Sequence, residues 1–109
     1  SSYSRGLLET LISDKKLTKI LFNTSDGMGT FLNDILEITY DNCYKKWKND
    51  YLDLEDEDIS YASIFIFNGA LGIINYWVKN DFEQDIAYIS NIIERLSYSG
   101  IKKFIYKDN

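Results

Sequence analysis

Apolar residues fall at helical spacing from the start of the chain. Leu7, Leu8, Leu11 and Ile12 recur three and four apart, which predicts a short amphipathic helix. Asp14 then stands where an N-cap would start a second helix, whose apolar stripe is Leu17, Ile20 and Leu21. The turn formers Asn23 to Gly27 end it. A longer helix follows, from about Met28 to Lys48, with Phe31, Leu32, Ile35, Leu36, Thr39, Cys43 and Trp47 on one face. Glu37, Asp41, Lys45 and Lys48 fall on the opposite face, and Asp41 and Lys45 have the i,i+4 order that supports a helix slightly.

From Ile59 to Val78 the pattern changes, because no residue there is charged. A helix that is apolar nearly all round needs cover on every side, from a bilayer or from protein. Ser60, Ser63, Asn68 and Asn75, and the amphipathic helices on either flank, favour protein. The membrane-anchored reading is the weaker rival. Asp81 and Gln84 have the offset of a capping box and open a last helix on Ile86, Ile89, Ile93 and Leu96, with Ile92 beside them. Ser99-Gly100 reads as its stop, followed by a short apolar tail containing Lys102 and Lys103. The sum is an all-α bundle of about five helices.

So few helices cover only part of the uncharged one, and a second copy of the chain is the simplest lid. The last two helices of each copy would then form an intermolecular four-helix bundle. Its expected interface is Phe67, Leu71, Ile74 and Val78 on the helix from about Asp58 to Lys79, with Tyr88, Ile92 and Arg95 on the next one. Gly69, Ala70 and Gly72 imply either close approach by a partner or room made within the domain. Tyr61, Asn68 and Asn75, seven apart, read as a register-setting seam, a polar pocket, or core asparagines satisfied by backbone.

Composition narrows the function. The 109 residues suit one domain, and 45% hydrophobic content with no proline suits a folded helical one. A net charge of −5 leaves no basic stripe for a phosphate backbone, and the densest lysines, Lys45, Lys46 and Lys48, read as a solvated face. The chain has no histidine, which removes the commonest general base and metal ligand, and no CxxC, phosphate loop or dinucleotide fingerprint. Cys43 reads as a core residue, and a single cysteine with no apolar leader fits the cytoplasm. The acidic stretch of residues 50–58 fails as a calcium loop, since counting from Asp53 puts Asp58 at the sixth position and Ile64 at the twelfth. It reads instead as an exposed connection that feeds acids to a helix N-terminus. No metal, no cofactor and no catalysis are expected.

The run Phe65-Ile-Phe-Asn-Gly-Ala-Leu-Gly-Ile-Ile-Asn-Tyr-Trp77, then Val78 to Phe82 and a final helix, resembles the C-terminal domain of TetR-family transcriptional regulators. The turn Ser25 to Phe31 leading into a long helix is similar too, so the likeness spans nearly the whole chain. One departure is Asp81, where glycine is expected in the turn after Trp77. The resemblance implies that residues 1–109 form a regulatory and dimerisation domain, with operator DNA read only by an N-terminal helix-turn-helix outside this stretch. It also implies a small-molecule effector, apolar or mildly polar because no buried basic residue is evident to match an anion. The aromatics on the long and uncharged helices place that effector near Phe31, Ile35, Tyr44, Trp47, Phe65 and Asn68. Some such proteins are coactivators, so a ligand-free protein-interaction module is the alternative.

Overall fold

The computed structural model describes residues 2–23, 27–51 and 53–105, with side chains for 5–23, 34–35, 37–38, 40–42, 44–51 and 53–105. Five helices follow in order: α1 (Ser2–Ser13), α2 (Lys15–Asn23), α3 (Gly27–Asp50), α4 (Asp56–Lys79) and α5 (Ile86–Ile105). The fold is all-α, with no strand among the described residues. Local chemistry accounts for the breaks. Asp14 caps α2 as its position implies, its Oδ1 accepting the Leu17 N–H at 3.0 Å. The buried Thr18 hydroxyl donates to the Leu11 carbonyl at 2.6 Å and ties the α1–α2 corner. Asp56, Glu57 and Asp58 occupy the first turn of α4, where the helix dipole favours carboxylates.

One apolar core holds most of the domain. Leu8 and Leu11 of α1 meet Ile74, Trp77 and Val78 of α4, with Phe82 from the corner and Ile89 and Ile93 from α5. Burying such side chains contributes roughly 1.5–3 kcal/mol each. α1 packs chiefly on α5, α4 lies beside α5, and α2 links α1 to α3 and α4. By length and composition alone, α4 is also long and apolar enough to cross a membrane.

The α4–α5 corner explains the departure at Asp81. After the helix ends, the Asp81 N–H donates to the Val78 carbonyl at 3.1 Å and the Phe82 N–H to the Trp77 carbonyl at 2.9 Å. This pair of bonds is a Schellman motif, whose C′ residue is left-handed and usually glycine. Asp81 sits there at φ 59° and Phe82 follows at φ 56°. The usual hydrophobic contact of the motif is present, with the Trp77 and Phe82 rings edge to face at 4.9 Å. Trp77 Nε1 donates to the Gln84 carbonyl at 2.6 Å, and Lys15 lies 5.6 Å over the Phe82 ring. Lys19 pairs with the Asp81 carboxylate.

Two expected boundaries move. Asp81 is consumed by the corner, and Asp85 caps α5 instead, accepting the Tyr88 N–H at 2.8 Å. α5 also runs through Ser99-Gly100 to Ile105, because half-buried Ser97, Ile101 and Ile105 continue its inward stripe. A glycine inside a helix costs about 1 kcal/mol, and continued packing outweighs that here.

Candidate interaction face on α4 and α5

Tyr61, Phe65, Asn68, Gly69, Gly72 and Tyr76 recur at three- and four-residue spacing and share one side of α4. All six are exposed, Phe65 by 77% and Tyr76 by 72%. Ile64 beside them is exposed as well. On α5, Tyr88, Leu96 and Phe104, eight apart, are exposed as well. The helix that needs cover on every side is therefore open along one side in the single chain.

Two shallow grooves run between α4 and α5. One, of about 560 Å³, joins Gly69, Gly72 and Tyr76 to Tyr88 and Ile92. The other, of about 300 Å³, joins Tyr61, Phe65 and Ile66 to Gly100, Ile101 and Phe104. The end of α4 thus faces the start of α5 and the reverse, so the two helices are antiparallel. A Cβ added at Gly69 or Gly72 meets nothing within 4 Å. Room inside the domain is therefore not what these glycines provide. Asn68 is likewise no core asparagine, since its Nδ2 donates to the Ile64 carbonyl of its own helix at 2.8 Å, on the open side. Asn75 is half-buried.

The expected interface arc needs correcting. Ile74 and Val78 are 3% and 2% exposed, inside the domain's own core, and Phe67 and Leu71 are half-buried. Leu8 and Leu11 of α1 share the core with Ile74 and Val78, so the open stripe lies roughly a third of the way round α4 from the expected one. On α5, Tyr88 and Arg95 are exposed and Ile92 is half-buried on the groove side. The expected effector residues lie on both α3 and α4. Ile35, Tyr44 and Trp47 are half-buried on α3, Phe65 and Asn68 stand on the open face, and the Phe31 and Cys43 side chains lie outside the described residues.

A second constellation joins α3 to the start of α4. Asp56 Oδ1 accepts the Tyr44 hydroxyl at 2.8 Å and lies 3.1 Å from Lys48 Nζ. Lys48 Nζ also donates to the Leu54 carbonyl at 3.2 Å, and the Tyr40 and Ser60 hydroxyls are 3.2 Å apart. The Tyr44 hydrogen bond, then that of Lys48, holds the Asp56 carboxyl below its ordinary range. The same contacts push the Tyr44 hydroxyl and the Lys48 ammonium up, each chiefly through its hydrogen bond to Asp56. Sequence reasoning leaves this seam out. Its signal is the spacing of four that joins Tyr40, Tyr44 and Lys48, matched by Asp56 and Ser60. No group of three metal-ligating side chains occurs among the described residues.

A family profile described as a transcriptional regulator C-terminal region, of TetR type, matches residues 2–99. No curated protein and no solved structure matches the chain.

Proposed function

Because the chain belongs to the TetR-type family of transcriptional regulator C-terminal regions, we propose that it is the dimerisation and effector-sensing domain of a cytoplasmic bacterial regulator. The observation that carries the dimer is the uncharged, open side of α4 with its two unobstructed glycines. A partner for that side must itself be free of charge over about 20 residues, or roughly 30 Å of helix, and a two-fold copy supplies such a surface. The seam runs along Tyr61, Phe65, Gly69, Gly72 and Tyr76, with Tyr88 and Ile92 of α5 beside it and Arg95 at the rim. An obligate interface of this kind buries about 2,000 Å² or more.

The effector is small and apolar or mildly polar, and the half-buried Ile35, Tyr44 and Trp47 of α3 are its support. DNA is read by a separate N-terminal helix-turn-helix, since 17 acids against 12 bases give this domain no hold on phosphates. The role is regulatory, with no catalytic step.

Light scattering behind a sizing column tests the dimer. The expected mass is twice 12.7 kDa, and a monomer mass at tens of micromolar ends the reading. A second reading, a ligand-free protein-interaction module, draws on both grooves opening to solvent on the same face. A thermal-shift screen of small apolar metabolites separates the two. A stabilising compound supports sensing, and consistent failure supports the interaction module.

A further inference from the structure

We propose that α4 pairs with α4 of a second copy in antiparallel register, with the two-fold axis crossing the helix between Ala70 and Leu71. Phe65 of each copy then seats in the groove that the other forms beside its α4–α5 corner. This rests on the dimer reading and adds its register, its axis and the occupant of each groove.

The open side of α4 is close to a palindrome. Counting outward from the point between Ala70 and Leu71, Gly69 is matched by Gly72, Phe65 by Tyr76 and Tyr61 by Asn80, all of them exposed in the single chain. A two-fold interface needs such self-complementarity, since each surface meets the same surface turned over. In an antiparallel pair the glycines oppose one another at the crossing. An added Cβ meets nothing of its own chain there, and the two backbones can come close. Each Phe65 comes over Tyr76 of the other copy. Phe65 is 77% exposed, the highest figure among the exposed large apolar side chains described. The groove beside Tyr76, about 560 Å³ and lined also by Gly69, Gly72, Tyr88 and Ile92, has room for its ring and sets it against two tyrosines. Asn80 and Glu83 of the same groove offer acceptors to the incoming Tyr61 hydroxyl.

Charge favours this direction over a parallel pair. Parallel pairing brings Asp56, Glu57 and Asp58 of both copies to one end, where like charges repel. Antiparallel pairing keeps the two acidic turns apart and opposes the helix dipoles. It also sets Lys79, in the last turn of α4, opposite Ala62 of the other copy, about one helical turn from that copy's Asp58.

Nitroxide labels measure the register. They are attached singly to Glu57→Cys, Ile64→Cys and Lys79→Cys, exposed positions outside the palindrome, in chains that also carry Cys43→Ser. In an antiparallel pair the separation between copies grows by about 3 Å for each residue away from the axis. Double electron–electron resonance should therefore give about 20 Å at position 64, about 25 Å at 79 and about 40 Å at 57. Similar distances at all three sites indicate a parallel pair, and any other order indicates a different crossing; either overturns the register. Gly72→Leu, in the otherwise unaltered chain, is the second variant. Its added Cβ meets nothing in the single chain, so helicity should persist while association weakens by about tenfold or more. Unchanged association overturns the crossing. Light scattering on the same chains separates the two readings. A dimer mass with the wrong distances ends the register alone, and a monomer mass for the unaltered chain ends the dimer and the register with it.

Discussion

In the C-terminal half of α4, Ile74, Trp77 and Val78 are enclosed by α1 and α5, whereas in its N-terminal half Tyr61, Ile64 and Phe65 stand in solvent. Neither half carries a charge between Ile59 and Val78, and both are rich in large apolar side chains. Composition alone does not distinguish them. The difference lies in the neighbours. The later half meets Leu8 and Leu11 on α1, Phe82 in the corner and Ile89 on α5, and it ends in that corner, locked by hydrogen bonds. The earlier half keeps Ile59 and Ser63 buried, and among the described residues hydroxyls, one lysine and one carboxylate join it to α3. A helix apolar all round thus divides its work by side as well as by length: Ile74, Trp77 and Val78 hold the core, while Tyr61, Phe65, Gly69, Gly72 and Tyr76 keep one side open.

The sharpest way to break this comparison is at Trp77. Replacing it with alanine empties a buried site and orphans the Gln84 carbonyl, and is expected to cost about 3–5 kcal/mol, read as a lowered urea midpoint. Phe65→Asp should act in the opposite way. The side chain is exposed in the single chain, so the far-ultraviolet helix signal of the variant should persist while its light-scattering mass halves. Equal loss of helicity in both variants would erase the distinction between the halves.

Acid sharpens the comparison further. The folded-state pKa of Asp56 is lowered by Tyr44 and then Lys48, with Glu55 beside Lys48 and Tyr40 beside Tyr44 as further neighbours. Its contribution is therefore fully present above the ordinary value of 3.8 and is lost as pH falls through the lowered one. Trp47 fluorescence should change only below about pH 4, with Trp77 unaffected in that step. Asp56→Asn should remove the transition. At the other end, the raised Tyr44 and Lys48 values keep their contributions intact below 10.0 and 10.5 and release them only as pH rises past the raised folded values.

The smallest expected effect is at the corner. Asp81→Gly relieves a left-handed residue, a gain of about 1 kcal/mol, and gives up a solvent-exposed pair with Lys19 worth roughly 0–1 kcal/mol. The net is a slight rise in thermal midpoint, and a fall would show that the Lys19 contact outweighs the strain.

Much of this architecture is legible in the residues. The spacing of Leu7, Leu8, Leu11 and Ile12 gives α1, Asp14 gives the cap of α2, and the uncharged run gives α4 and its need for cover. Glycine expected at position 81 is explained by the backbone there, which is left-handed. What periodicity does not supply is which neighbour takes which side of a helix that is apolar all round. Ile74 and Val78 are as apolar as Tyr61 and Phe65, and only the path of α1 decides between them. The seam between α3 and α4 is obscured for another reason. Asp56 sits among acids that read as a solvated run, and its partners on α3 lie eight and twelve residues earlier across a connection whose course the sequence does not reveal.

The open space beside Gly69 and Gly72 bears on how tolerant these positions are to random change. Since an added Cβ meets nothing there and alanine favours helix by about 1 kcal/mol, a library selected only for soluble, folded protein should drift away from glycine at both. A library selected for regulation in the cell is filtered by something more than folding. Any preference for glycine that survives in the second population and not in the first is imposed from outside the chain, and its strength measures how closely another backbone comes.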